Sequence, residues 1–415
     1  MLMTRRRFLQ ASLGTSALAP FVPGMPDVLS SSACAAPGKA SDNTILVVVQ
    51  LSGGNDGLNT VVPYADDVYA RNRPTLRLAA RDLHRIDDYL GFHPRIEPFG
   101  RLYKEGQLSI IQGVGSPAAQ LDHDAAMRIW HGAAPDLSDC PTGWLGRTAD
   151  HMWKENPGQS GVAFVGPIKR PFALNAERVA VPCIRTLEDL TLHEMSSVRS
   201  QQMPLRKSPG TGQTSPYLDF VRRCQSQSHA NDQRIRALAQ APSNQSRYPS
   251  HGLARDLALV AQLIRADTGI RVFFTELGGG GIGGFDNHAN QLGNHCALLA
   301  HLAESIAAFT NDLHRDKLLD RVLLMTFSEF GRTVKENGRR GTDHAVAAPM
   351  FLAGGRVKGG LTGAHPSLTD LDKGGLKLHI DFRQVFATVL DQWLGLTSRD
   401  ILGQQFESLD IIKSV

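Results

Sequence analysis

The sequence predicts an α/β protein with helices on both faces of a largely parallel sheet. Three observations carry this. Several apolar runs have strand length but do not alternate, helical patterns lie between them, and glycine-rich or acidic loops follow where the runs stop. A run that is apolar on both faces suits a strand covered from both sides, and strand–helix alternation produces that layering.

The elements follow in chain order. Residues 1–35 read as an export leader. Thr4-Arg5-Arg6-Arg7-Phe8-Leu9-Gln10 has the form of a twin-arginine motif, ASLGTSALAPFV is mildly apolar, and Ala33-Cys34-Ala35 offers small residues for cleavage. The apolar part is too short and too broken by Pro and Gly to span a bilayer, so no stable membrane insertion is expected. Ser31 in place of an aliphatic residue disfavours lipid attachment at Cys34. The expected partner is the twin-arginine export machinery, and the expected location is the periplasm or the exterior of a bacterial cell. That route carries folded proteins, which fits a chain that fills a metal site first. Beyond the leader, Cys140, Cys183, Cys224 and Cys296 match no zinc ribbon. In an oxidising compartment Cys140–Cys183 is the first pair to test.

Residues 36–415 read as one α/β domain. Strand character is expected at 44–51, 108–114, 161–166, 270–277, 321–329 and 348–355. The clearest helical pattern follows the fourth of these. Leu292, Leu299, Ile306 and Leu313 recur every seven residues, with Cys296, Leu302 and Phe309 on the same face. Residues 185–250 are rich in Ser, Gln and Pro around a helical stretch near 217–239, and read as an insertion. Composition sets further bounds. The 415 residues are 42% hydrophobic and 20% charged, with 44 basic and 40 acidic groups. No basic stripe with interleaved aromatics occurs, so no nucleic-acid partner is expected.

Three strand ends carry the chemistry. The first has Asp56 in a Gly-Gly-Asn-Asp-Gly loop. The second has a glycine run, then Asp286 and His288, with His295 on the helix beyond. The third has Ser328, Glu329 and Arg332, then Asp343 and His344. Taken singly, the aspartates read equally as caps, Glu329 as a surface residue and the histidines as satisfied polar groups. Ligands of open α/β sheets bind past the carboxyl ends of the strands, so the three ends converge and favour a site. Asp, Glu and His suit divalent zinc, manganese, magnesium or calcium. Gly278, Gly280 and Gly283 also fit a dinucleotide glycine pattern, but Asp286-Asn287-His288 precedes the helix and no ribose-binding acid follows.

The segments VVVQLSGGNDGLNTVVPY, GFHP, GWLGR, FDNHANQ, TFSEFGRT, GTDHA and DFRQVFATVLDQWLG resemble the twin-arginine-exported bacterial family of unknown function numbered 1501. That family is placed in the alkaline phosphatase and sulfatase superfamily. The resemblance implies a three-layer α/β/α sandwich and a hydrolase of phosphate or sulfate esters, commonly with two metals. It implies that Asp56 is the first-strand metal ligand and that Asp286, His288, Glu329 and His344 complete the set. Three positions depart from the pattern. Asp-x-His at 286–288 is tighter than usual, Ser328-Glu329 replaces Asp-His, and Asp122-His123 stands where family members carry Ser-His.

The expectation is an exported metal-dependent hydrolase acting on a small anionic or polysaccharide ester. Arg332 would fork onto the substrate anion, and Asp343 and His295 would bind or orient at the metal. Asp122 would stand where a hydroxyl nucleophile is missing, which favours direct attack by water, with Thr60 and Ser116 as fallback nucleophiles. His93 and His123 read as packed or capping. The alternative is a catalytically degenerate binding or scaffold protein of the same fold.

Overall fold

The computed structural model describes residues 44–137, 140–155, 161–166, 170–187, 247–278 and 284–413. The leader at 1–35, the helix expected near 217–239 and most of the insertion at 185–250 lie outside the described residues.

Among the described residues, nine strands form the central sheet. They are β1 (Ile45–Leu51), β2 (Leu108–Gly115), β3 (Val162–Val165), β4 (Cys183–Ile184), β5 (Val272–Leu277), β6 (Val322–Phe327), β7 (Ala348–Gly354), β8 (Gly360–Thr362) and β9 (Ile380–Asp381). Their spatial order is β8-β2-β7-β6-β1-β5-β3-β4, with β9 also pairing β2. Among the described strands, β7 alone runs against its neighbours, β6 and β2. All six sequence-predicted strands are present. The short β4, β8 and β9 were not anticipated.

The pleat of β1 shows why the layers form. Ile45, Val47, Val49 and Leu51 enter one core with α2 (Glu97–Lys104), α5 (Gly252–Arg265) and α6 (Gln291–Arg315). Leu46 and Val48 enter the other, with α3 (His123–Gly132), α4 (Trp144–Glu155), α7 (Phe382–Thr388) and α8 (Ser398–Leu402). Adjacent residues on a strand face opposite ways, so a continuous apolar run needs cover on both sides. The short helix α1 (Asp67–Asn72) lies outside these two cores. The result is the expected three-layer α/β/α sandwich.

Two expectations are corrected. In the heptad of α6, Leu299, Ile306 and Leu313 are fully buried, but Leu292 is 43% exposed because it sits in the first turn, beyond the core's edge. Cys140 and Cys183 are free thiols. The Cys140 thiol donates to the Thr142 carbonyl at 3.2 Å, while Cys183 lies exposed on the edge strand β4.

Candidate metal centre

The parallel strands β1, β5 and β6 end at one edge of the sheet. The loops that follow bring Gly53–Asp56, Asp286–His288 and Ser328–Glu329 together there. Two further segments join them. α3 starts at this edge with His123, and a small hairpin pairs Arg332 with His344. The approach is tight. A Cβ on Gly53 (φ +112°) would lie 2.5 Å from the Asp286 nitrogen, so only glycine lets the first loop pass under the second.

Asp286 is the centre of the arrangement. Its Oδ1 lies 3.0 Å from His288 Nε2, 3.0 Å from His344 Nε2 and 2.7 Å from an Arg332 guanidinium nitrogen. Its Oδ2 faces His123 Nε2 at 3.4 Å. The two ring nitrogens of His288 and His344 are themselves 2.9 Å apart. Ligand atoms of His123, Asp286 and His344 all lie within 4.8 Å of one another.

The opposite ring nitrogens fix the tautomers. His123 Nδ1 meets Glu329 Oε1 at 3.0 Å, His288 Nδ1 meets Asp343 Oδ1 at 3.0 Å, and His344 Nδ1 meets the Leu121 carbonyl at 2.6 Å. Ionised carboxylates and carbonyls only accept, so each Nδ1 carries the hydrogen. Each ring then turns its Nε2 towards Asp286. Two ring nitrogens and a carboxylate packed this closely need a proton or a metal cation among them. Imidazoles held through Nδ1 by an oxygen are also the usual outer support of a bound divalent ion. The donor set of nitrogen and carboxylate oxygen fits zinc or manganese.

Partial burial works to raise the Asp286 pKa, but hydrogen bonds from Arg332 and His344 hold it well below the usual carboxylate range. The hydrogen bond to Glu329 raises the His123 pKa against the pull of burial.

Several sequence-predicted residues take other parts. Asp56 is buried and bound on both oxygens by Arg73, with Gln291 donating to Oδ2. Burial opposes its charge, but Arg73 more than compensates and holds its pKa low. Its carboxylate is paired with that cation, where the resemblance implied a metal ligand. Glu329 lies beneath His123 and orients it, also accepting from Gly53 N at 2.8 Å. Arg332 is 2% exposed and donates to Asp286 and to the carbonyls of Gly53, Gly54, Phe285 and Thr342. Asp122 is exposed and caps α3 through the Ala125 N–H at 3.0 Å. Asp343 orients His288, while His295 bonds Asn55 at 3.0 Å away from the cluster. Burial pushes His93 down to about 3 and His295 to about 4, so both are neutral packed residues. Thr60 donates to the Asp56 carbonyl, and Ser116 caps Ala118. Sequence reasoning underrated His123 and missed Arg73. A histidine at the first position of a helix that starts at the strand-end edge was the available signal for the former.

The fold and site define an α/β/α sandwich with a histidine–carboxylate cluster at the carboxyl edge of its sheet. The family model described as a protein of unknown function, DUF1501, matches residues 110–405, and the chain belongs to that family. No curated protein matches the sequence. Among solved structures, the chain is similar to the C-terminal periplasmic domain of EptC from Escherichia coli in complex with zinc. The identity is 8%, with 75% of this chain and 73% of that one covered and a TM-score of 0.36. It is also similar to the lipoteichoic acid synthase LtaP from Listeria monocytogenes, at 8% identity, 90% and 80% coverage and a TM-score of 0.38. An alkaline phosphatase superfamily protein from Vibrio parahaemolyticus matches at 8%, 91% and 76%, with a TM-score of 0.36. At such scores the site's own geometry has to carry the functional reading.

Proposed function

We propose that the protein is an exported, metal-dependent hydrolase of anionic phosphate or sulfate esters. One observation carries this reading: three imidazoles, each anchored through Nδ1 by an oxygen, aim Nε2 at one carboxylate. His123, Asp286 and His344 would hold the ion, with His288 beside them. When bound, a divalent ion there supplies charge that polarises an ester oxygen and acidifies water. The chain's own residues do the rest. Glu329, Asp343 and the Leu121 carbonyl keep the three rings in one tautomer, and Arg332 fixes Asp286 and keeps it ionised.

Export rests on Arg5, Arg6, Ala33 and Ala35. Among the described residues no helix is long and apolar enough to cross a membrane. The competing reading, a non-catalytic binding protein, draws on exposed Asp122 standing where a hydroxyl would be expected.

The test is elemental analysis of protein purified without chelators and reconstituted with zinc or manganese, followed by turnover of aryl phosphates and aryl sulfates. At least one tightly bound ion per chain is expected. His123→Ala should lose it, and Glu329→Gln should weaken it about 10- to 100-fold. A chain that takes up no metal overturns the proposal. Full loading without turnover on a broad ester panel favours the binding protein.

A further inference from the structure

Past the last core residues of β1, its α3-facing side chains turn polar. Leu46 and Val48 pack in the core beneath α3, and Gln50 and Ser52 continue the same face beyond it. Glu276 of β5 pairs with Gln50 in parallel register and faces the same way. His131, near the end of α3, lies over this group. Burial drops its pKa to about 3, so it is neutral, and its Nε2 lies 2.6 Å from Gln50 Oε1. That oxygen only accepts, so the ring donates. With its carbonyl held, the Gln50 amide nitrogen reaches Ser52 Oγ at 2.7 Å and Glu276 Oε2 at 3.3 Å. An amide nitrogen only donates, which leaves the Ser52 hydrogen free to face Glu276 Oε2, 3.5 Å away. Gln50 is 4% exposed, whereas Ser52 and Glu276 are partly open.

This hydroxyl differs from others around the cluster. Thr60 is committed to the Asp56 carbonyl, Ser328 to the Leu51 carbonyl and Thr342 to Gln291. Ser52 has a carboxylate as its acceptor. It also sits next to the metal-type cluster in the chain. The N–H of Gly53 bonds Glu329 Oε1, the same oxygen that holds His123. Burial raises the Glu276 pKa; the hydrogen bond from Ser52 opposes this and the nearby Glu329 charge adds to it, and the net rise makes the carboxylate a better proton acceptor.

Building on the ester-hydrolase reading, we propose that Ser52 is the nucleophile, Glu276 its base, and Gln50, held by His131, the positioning residue that aims the hydroxyl. Ser52 Oγ bonds to the phosphorus or sulfur as the bond from that atom to the alcohol oxygen breaks. The hydroxyl proton passes to Glu276 Oε2. The departing alkoxide takes a proton from water, and the hydroxide left behind recovers the proton from Glu276. A second water then attacks the Ser52 ester. Its proton reaches Ser52 Oγ through Glu276 as that ester bond breaks. The sum is ester plus water giving alcohol and the free anion.

The experiment treats the metal-reconstituted full chain with an aryl sulfonyl fluoride, which reports an activated hydroxyl whatever the natural ester is. Turnover of 4-nitrophenyl phosphate and 4-nitrophenyl sulfate is measured in parallel. Peptide mapping should find the sulfonyl group on Ser52. Ser52→Ala should abolish both labelling and turnover, and Glu276→Gln should slow labelling about 100-fold. Gln50→Asn should slow labelling while metal content and melting temperature hold. Absent or misplaced labelling of the wild type, or undiminished turnover by Ser52→Ala, overturns the assignment and leaves the metal-hydrolase reading intact. Labelling at Ser52 without turnover of either ester supports the activated hydroxyl and counts against the ester class.

Discussion

Arg73 shows how a residue far from the chemistry can occupy the part expected of a ligand's neighbour. It is fully buried, and all five of its N–H donors are used, on both oxygens of Asp56, on Asn59 Oδ1 and on the carbonyls of Val334 and Thr333. A buried pair of this kind is costly to break from one side, because the remaining charge is stranded. Asp56→Asn should therefore lower unfolding free energy by about 3–5 kcal/mol in urea titrations, with metal content per folded chain unchanged. Lost metal at unchanged stability would instead restore Asp56 to the ligand set.

At the scale of elements, α6 separates pattern from burial. Leu299 and Leu292 occupy equivalent heptad positions, but only Leu299 reaches the core. Leu299→Ala should cost about 2–5 kcal/mol, and Leu292→Ala should stay within about 0.5 kcal/mol of wild type in the same denaturation assay. The same contrast explains what was legible beforehand. Runs such as ILVVVQL announce strands buried on both faces because sheet pleat and helix cover act locally on composition. The reversed direction of β7 was not readable, since periodicity carries no orientation. The two-residue β4 and β9 were too short to leave a pattern. Asp286, His288 and His344 were legible as a site because glycines and strand ends flank them. The part of His123 depends on where α3 starts relative to a loop more than 150 residues away, and that of Arg73 on a partner that looked like a ligand.

The whole molecule carries several histidines whose charge folding forbids. Burial holds His93 and His131 at about 3 and His295 at about 4, against 6.5 for a free histidine. All three folded-state values are depressed. The unfolded chain therefore takes up protons below pH 6.5 that the folded chain refuses, until the pH approaches 4 to 3. The stability they protect is fully present above pH 6.5 and is lost on acidification. At about pH 5 each should cost about 2 kcal/mol. Urea titrations at both pH values should show the loss, and His131→Gln should remove about 2 kcal/mol of it. A stability profile flat from pH 7 to 5 would contradict this.

The pairing of β1 also governs how the chain can assemble in time. Its two sheet neighbours begin only at Val272 and Val322, more than two hundred residues downstream. A strand at the middle of the sheet thus emerges from the ribosome long before either partner exists. Closing such loops delays the reward of pairing, which makes for slow folding and a period of exposed apolar edge. The nascent ILVVVQL segment therefore stays without both sheet partners until synthesis has run on to β6.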